Sequence, residues 1–383
     1  MRHPIVYDFR FIRAMFFCFF VIVLAKTVFL CAIASASEIT IRLDNPPETG
    51  TIIFLLFDSA NTFTDYGDAA VIVTESILPG KVYRIENVPS GEYALMAHYD
   101  ENENGVLDKN LIGIPTEFLG FSNRYEPKAP PSYSRASFVL LDKAPQHFDV
   151  KLYRPLGKLG RVGVGVGVIA RSSPYRDSTE GVFQPIPAIT YIGDRVQIFG
   201  PKLQVGILGS GRLRLAATGR YRVGVYEEDD SSFLVGMGDR QDTFMGGVAL
   251  EAELPGGIDL SVSYERDILD QIGGSEARAE LDKAFQFGTI TFSPATAVNW
   301  IDESFSNHDF GVSESQSRIN RPAYALDDIF SAEGGLGILL EVTSDWLIIV
   351  DASVEFLPEQ VTKSPIVGMG YVVKGFAAIN YVF

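Results

Sequence analysis

Two groups of residues in this chain have the types and spacing to do chemistry. The first is Asp100-Glu101-Asn102-Glu103-Asn104-Gly105-Val106-Leu107-Asp108. Oxygen-bearing side chains fall at relative positions 1, 3, 5 and 9, with Gly at 6 and an apolar residue at 8. That is the opening three-quarters of an EF-hand-type calcium loop, in which a hard cation gathers oxygens around a tight turn. Position 12 is Leu111 rather than a bidentate Glu, and no helical pattern flanks the loop. Asp100, Asn102, Asn104 and Asp108 therefore read as a modest calcium set, with Glu117 as a late ligand, or as an Asx-rich turn whose side chains bond their own backbone. The second group is a row of cations. Arg212, Arg214, Arg220 and Arg222 share one parity of a long alternating segment, opposite Leu213, Leu215, Ala217, Gly219, Tyr221 and Val223. Glu251, Glu253, Asp259 and Glu265 occupy the corresponding parity of the next two segments. Four arginines on one strand face repel unless paired, so the pattern predicts a lumen crossed by ion pairs. Such a lumen is either a charged constriction that selects solutes or a small barrel filled by its own side chains, and the latter is the preferred reading.

Catalytic chemistry finds no such support. Outside the first 36 residues the histidines are His98, His147 and His308, none with a second histidine at ligand spacing. His308 lies near Ser304, Ser306 and Asn307. These read as loop polar residues rather than a lipase pair, since no nucleophile, base and orienting group can be assembled. The expectation is no enzyme and no cofactor other than calcium.

The first 36 residues read as an export segment. Arg2, Arg10 and Arg13 precede an apolar run from Ala14 to Ala25, Lys26 interrupts it, and Ala34-Ser35-Ala36 matches a small-x-small cleavage site before Ser37. Neither apolar run reaches the roughly 20 residues a membrane helix needs. Both cysteines, Cys18 and Cys31, lie in this segment. Its removal leaves no thiol chemistry, and losing four bases and one acid takes the net charge from −16 to −19. So acidic a chain is a poor nucleic-acid binder, which needs a basic face.

Residues 38–155 read as short strands between turn signals. Thr51 to Phe57 is a continuous apolar run, hence a central strand, and Pro89-Ser90-Gly91 makes a turn. The expectation is a small Ig-like or transthyretin-like β-sandwich. The run His98 to Asn110, with Gly113-Ile114-Pro115-Thr116-Glu117 and Gly120-Phe121-Ser122-Asn123, resembles a bacterial family of exported domains of unknown function. That resemblance implies a periplasmic domain and no particular activity. Residues 156–158 read as a linker.

From 159 to 383 the period is two. Val162, Val164, Val166 and Val168 alternate with Gly163, Gly165 and Gly167, the glycines facing a crowded lumen. Trp346, Ile348, Val350, Ala352, Val354 and Phe356 form one parity of a later segment, and the last strand ends Tyr381-Val382-Phe383. Long strands with one lipid-compatible face predict a transmembrane antiparallel β-barrel of about 12 strands, with ten as the alternative count. The segments include 195–207 and 305–313 as strands and 314–333 as a loop. Tyr381 and Phe383 resemble the closing signal read by the barrel assembly machinery. The glycine-rich start, Gln184-Pro185-Ile186-Pro187-Ala188-Ile189-Thr190-Tyr191, Leu234-Val235-Gly236-Met237-Gly238-Asp239-Arg240, Phe310-Gly311-Val312 and Ser364-Pro365-Ile366-Val367 resemble the MipA/OmpV outer-membrane family. That resemblance implies a monomeric or weakly associating barrel in outer-membrane lipid. Some members are scaffolds joining a murein lytic transglycosylase to a penicillin-binding synthase; others are pores or adhesins. Members usually lack the first domain. The leading expectation is thus an envelope scaffold, followed by a small-solute channel and then a calcium-linked adhesin.

Overall fold

The computed structural model describes residues 36–383 apart from 79, 111–112, 158–159, 179–180 and 211–212. The expected export segment, but for Ala36, and both Leu111 and Arg212 lie outside the described residues. No helix among the described residues is long and apolar enough to cross a membrane, so any span must be made by strands.

The N-terminal part is a sandwich of two sheets. One holds β4 (Val82–Pro89), β1 (Ala36–Leu43) and β8 (Gln146–Val150) in that order. The other holds β3 (Val71–Ser76), β2 (Thr51–Phe57), β5 (Gly91–Asp100) and β6 (Phe118–Phe121), with β7 (Ser137–Leu140) pairing the other half of β5. The continuous apolar run of β2 has a physical reason. Ile52, Phe54 and Leu56 face the first sheet across the sandwich core. Ile53, Leu55 and Phe57 face a second cluster under the loops, with Phe63, Leu119, Tyr125 and Tyr133. A strand covered on both faces loses the alternation of a half-buried one.

The C-terminal part is a closed antiparallel barrel of twelve strands. β9 (Arg161–Arg171) pairs with the last strand, β22 (Tyr371–Val382), and closes the wall. The second strand is β10 (Val182–Pro187) continued by β11 (Thr190–Ile192). There follow β12 (Val196–Phe199), β13 (Lys202–Ser210), β14 (Leu213–Arg222), β15 (Thr243–Leu254), β16 (Ile258–Asp267) and β17 (Ser275–Asp282). A short β18 (Phe285–Phe287) folds onto β19 (Ile290–Ile301), and β20 (Ile329–Glu341) and β21 (Trp346–Phe356) complete the order. Valines of β9 point out, and its glycines point in because neighbours leave no room. A Cβ on Gly165 would run into the Ile379 carbonyl across the closing seam.

Two expected strands are corrected. Residues 195–207 are not one strand but β12 and β13, reversed at Gly200-Pro201, where Gly200 adopts φ +53. Residues 305–313 are not a strand. Glu303–Phe310 is a helix because the Asp302 side chain accepts from Phe305 N and caps it. The two errors cancel in the strand count. The expected loop also ends early, since β20 begins at Ile329.

Short turns join described strands at the end carrying both barrel termini, and the longer segments 172–178, 223–242, 302–328 and 357–370 lie at the other end. In bacterial barrels the short turns are periplasmic and the long loops extracellular. Outward aromatics mark both interfaces: Trp346, Tyr381 and Phe383 in edge contact below, Phe183, Phe330, Phe356 and Tyr371 exposed above.

Candidate functional site

The inward parity of the barrel builds a cavity of about 860 Å³. Its lining carries nine carboxylates and six cations, a formal excess of three negative charges. Strand register explains the pairing. Arg214 sits opposite Glu251 and meets it at 3.3 Å. Arg220 reaches past β15 to Glu265 of β16 at 3.1 Å, and to Glu276 of β17. Arg222 reaches neither neighbour. It binds Asp309 of the loop helix at 2.6 Å and lies over the Phe305 ring. Arg212 lies outside the described residues. Glu253 and Asp259 face each other across β15 and β16 and form no ion pair with a described cation.

A second lattice escaped the sequence reading. Arg278 joins Glu280 and, at 3.0 Å, Glu333; Lys374 joins Glu333 at 2.9 Å and Glu355 at 2.8 Å. Glu276, Glu280 and Asp282 alternate with the same parity as Arg278, so the signal was present in the residue types.

The extracellular end is closed by packing. Tyr175, Val225, Tyr226, Leu234, Met237, Phe310, Val361 and Ile366, drawn from four loops, form one buried apolar cluster with Ile329 and Val372 at the strand ends. Asp309, 2% exposed, pins this cap to the wall. Burial alone would raise its pKa, but the Arg222 charge and the His308 hydrogen bond at 2.9 Å overcome that and hold the carboxyl well below its usual range. Ser306 is buried and donates to the carbonyls of Glu303 and Asp327, so it is not paired with His308.

The sandwich lies against the periplasmic rim through residues 125–135. Tyr125 donates to Glu341 at 3.0 Å, and Lys128 meets Asp345 at 2.7 Å and the Val382 carbonyl at 2.9 Å. Ser132 donates to the Gly288 carbonyl, Gln286 to that of Pro131, and Arg161 to that of Pro127. Pro127, Pro130 and Pro131 restrict this segment, and Tyr125 and Tyr133 root it in the sandwich. Burial pushes the Tyr133 hydroxyl up to about 12. The sandwich also reaches a different part of the wall, where a Cβ on Gly113 would lie 2.6 Å from the Arg214 guanidinium. The domain thus spans the mouth.

In the acidic loop, Asp100 accepts from Asn104 N and Gly105 N, Asn102 accepts from Asn104 N, and Asn104 accepts from Val106 N. The Asn102 and Asn104 amides donate to Asp108. Glu117 accepts from Glu101 N, Asp108 N and His98, which holds both loop ends. No cluster of three or more His, Cys, Asp or Glu arranged for a metal occurs among the described residues. These hydrogen bonds are those of an Asx-rich turn, made by the same side-chain oxygens that the calcium reading uses.

Comparison with known proteins completes the description. The family described as MltA-interacting protein MipA matches residues 164–383. The chain belongs to that family. A second family, described as an uncharacterized protein conserved in bacteria, matches residues 42–148. The putative outer membrane protein YiaT of Escherichia coli (strain K12) is 27% identical over 209 residues, 54% of this chain and 84% of that protein. The MltA-interacting protein of the same organism is 26% identical over 225 residues, 58% of this chain and 89% of that one. Among solved structures, the NanC porin aligns with 57% of this chain and 98% of its own at 10% identity and a TM-score of 0.28, too distant to carry an argument. This member of the MipA family is an outer-membrane barrel of a Gram-negative bacterium.

Proposed function

We propose that this MipA-family protein is an envelope scaffold: the barrel is a closed anchor, and the sandwich is the surface it presents to murein-processing enzymes. The observation that carries the reading is closure at both ends. Four loops pack into one apolar cap outside, the sandwich spans the mouth inside, and ion pairs cross the space between. A general pore needs a continuous aqueous path. A relative carries the name MltA-interacting protein, which supports a lytic transglycosylase of that kind as partner; in this reading a penicillin-binding synthase is the second component. Folding and insertion in this reading use the barrel assembly machinery acting on Tyr381 and Phe383.

The test is equilibrium binding of a purified MltA-type transglycosylase to the full chain in lipid nanodiscs. Saturable binding that is lost when charges on the exposed face of β4 and β8 are reversed supports the reading. Absence of binding at micromolar enzyme sinks it.

A further inference from the structure

Among the described residues the barrel wall has an interruption beside β10. β10 hydrogen-bonds to β9 on one edge and to no strand on the other. The cause is the short β12, which ends at Phe199 and turns back at Gly200-Pro201, level with Ile189 on one side and Tyr221 on the other. Above that turn, β10 and β14 face each other without a strand between them. An unpaired edge inside a membrane leaves backbone groups without partners, which bilayers do not tolerate cheaply. The sequence meets this with Pro185 and Pro187, which have no N–H to leave unpaired. The Tyr221 hydroxyl at the margin of the gap donates to Asp242.

The gap leads somewhere. Val182, Phe199, Pro201, Tyr221 and Val223, at its margins, also line the 860 Å³ cavity. On the lipid side, Phe183 is 73% and Ile189 50% exposed. On the cavity side two cations flank the gap, Arg171 as register partner of Val182 and Lys202 of Arg220, while the Asp242 carboxylate is held at the upper margin by Tyr221 and Gly224. Arg220 and Arg222 are neutralised by carboxylates. Lys202 forms no hydrogen bond or ion pair with a described residue, and Arg171 has a buried Nε without a partner. An apolar slot at the lipid face thus ends near Lys202 and Arg171, neither of which is in a close ion pair with a described carboxylate.

We propose that this gap is a lateral portal for a single-chain anionic amphiphile, which lies with its acyl chain between β10 and β14 and its carboxylate or phosphate at Lys202 and Arg171. The charge excess of the cavity as a whole is negative, so an anion is held at this end and not deeper.

The test uses the full chain in nanodiscs of uncharged phosphatidylcholine, with dodecanoate as the probe and dodecanol and dodecyltrimethylammonium as comparisons. Binding is read by displacement of a fluorescent fatty acid. Dodecanoate is expected to bind at least tenfold more tightly than either comparison, and Lys202→Met to remove most of that preference. Because the described residues contain no cysteine, thiols placed by Gln184→Cys and Tyr221→Cys can be bridged with a bis-maleimide. The bridged protein is expected to bind dodecanoate at least tenfold more slowly than the same protein unbridged, which controls for folding. Equal affinity for dodecanol and dodecanoate overturns the charged site. Unchanged binding kinetics after bridging overturns the portal.

Discussion

Asp309→Asn is the perturbation that most sharply separates a built cap from loops that merely lie over the mouth. The wild-type carboxylate is 2% exposed, receives Arg222 at 2.6 Å and His308 at 2.9 Å, and is buried away from bulk solvent. Asn keeps the shape but leaves a buried guanidinium without its counter-charge. Breaking a buried pair from one side costs about 3–5 kcal/mol. The loss falls on the cap, because β14 keeps its ladder to β15. At about 1.4 kcal/mol per tenfold, local opening of residues 303–328 should become roughly 100- to 4,000-fold more frequent. Amide hydrogen exchange of the helix Glu303–Phe310 reads this directly, with β15 and β16 as internal controls. The reasoning fails if helix exchange rises less than about tenfold, or if the barrel strands accelerate equally.

Other outcomes follow from the same geometry. Gly165→Val puts side-chain atoms into the Ile379 carbonyl at the closing seam, so the variant should yield little heat-modifiable, folded barrel on a gel. Deleting Phe383 removes the ring that meets Tyr381 and should lower outer-membrane yield, with unfolded chain accumulating in the periplasm. The Lys128 hydrogen bond holds the Asp345 carboxyl below its usual range. A depressed carboxylate contributes above the free value and is lost as pH falls through the lowered one, so cross-linking of the sandwich to the rim should be constant from neutral pH to about pH 4 and decline only below it. Calcium titration of the full chain separates the two readings of the acidic loop: the self-satisfied turn around Asp100 predicts no melting shift with millimolar calcium, whereas a bound ion would raise it.

Most of the architecture was legible because solvent differs on the two sides of each strand. The Gly/Val alternation of β9 and the parity of β21 follow from one lipid face and one crowded face, and a period of two survives any register. What was missed involves tertiary partners. Glu303–Phe310 has weak amphipathicity, and its helix depends on one capping side chain, Asp302. The Gly200-Pro201 turn was visible as a turn signal, but a span of ordinary length was expected there. Arg222 was assigned to the correct face without its partner, since Asp309 comes from a loop 87 residues away. The docking segment at 125–135 carries no pattern that names its partner, and only the rim opposite it gives Tyr125 and Lys128 their roles.

Single-channel recording of the purified full chain in a planar bilayer tests the central claim most directly. A closed anchor predicts a folded, heat-modifiable protein that inserts and stays silent at moderate voltage. Stable, salt-dependent openings in the intact chain would contradict it and make the charged lumen a conduction path.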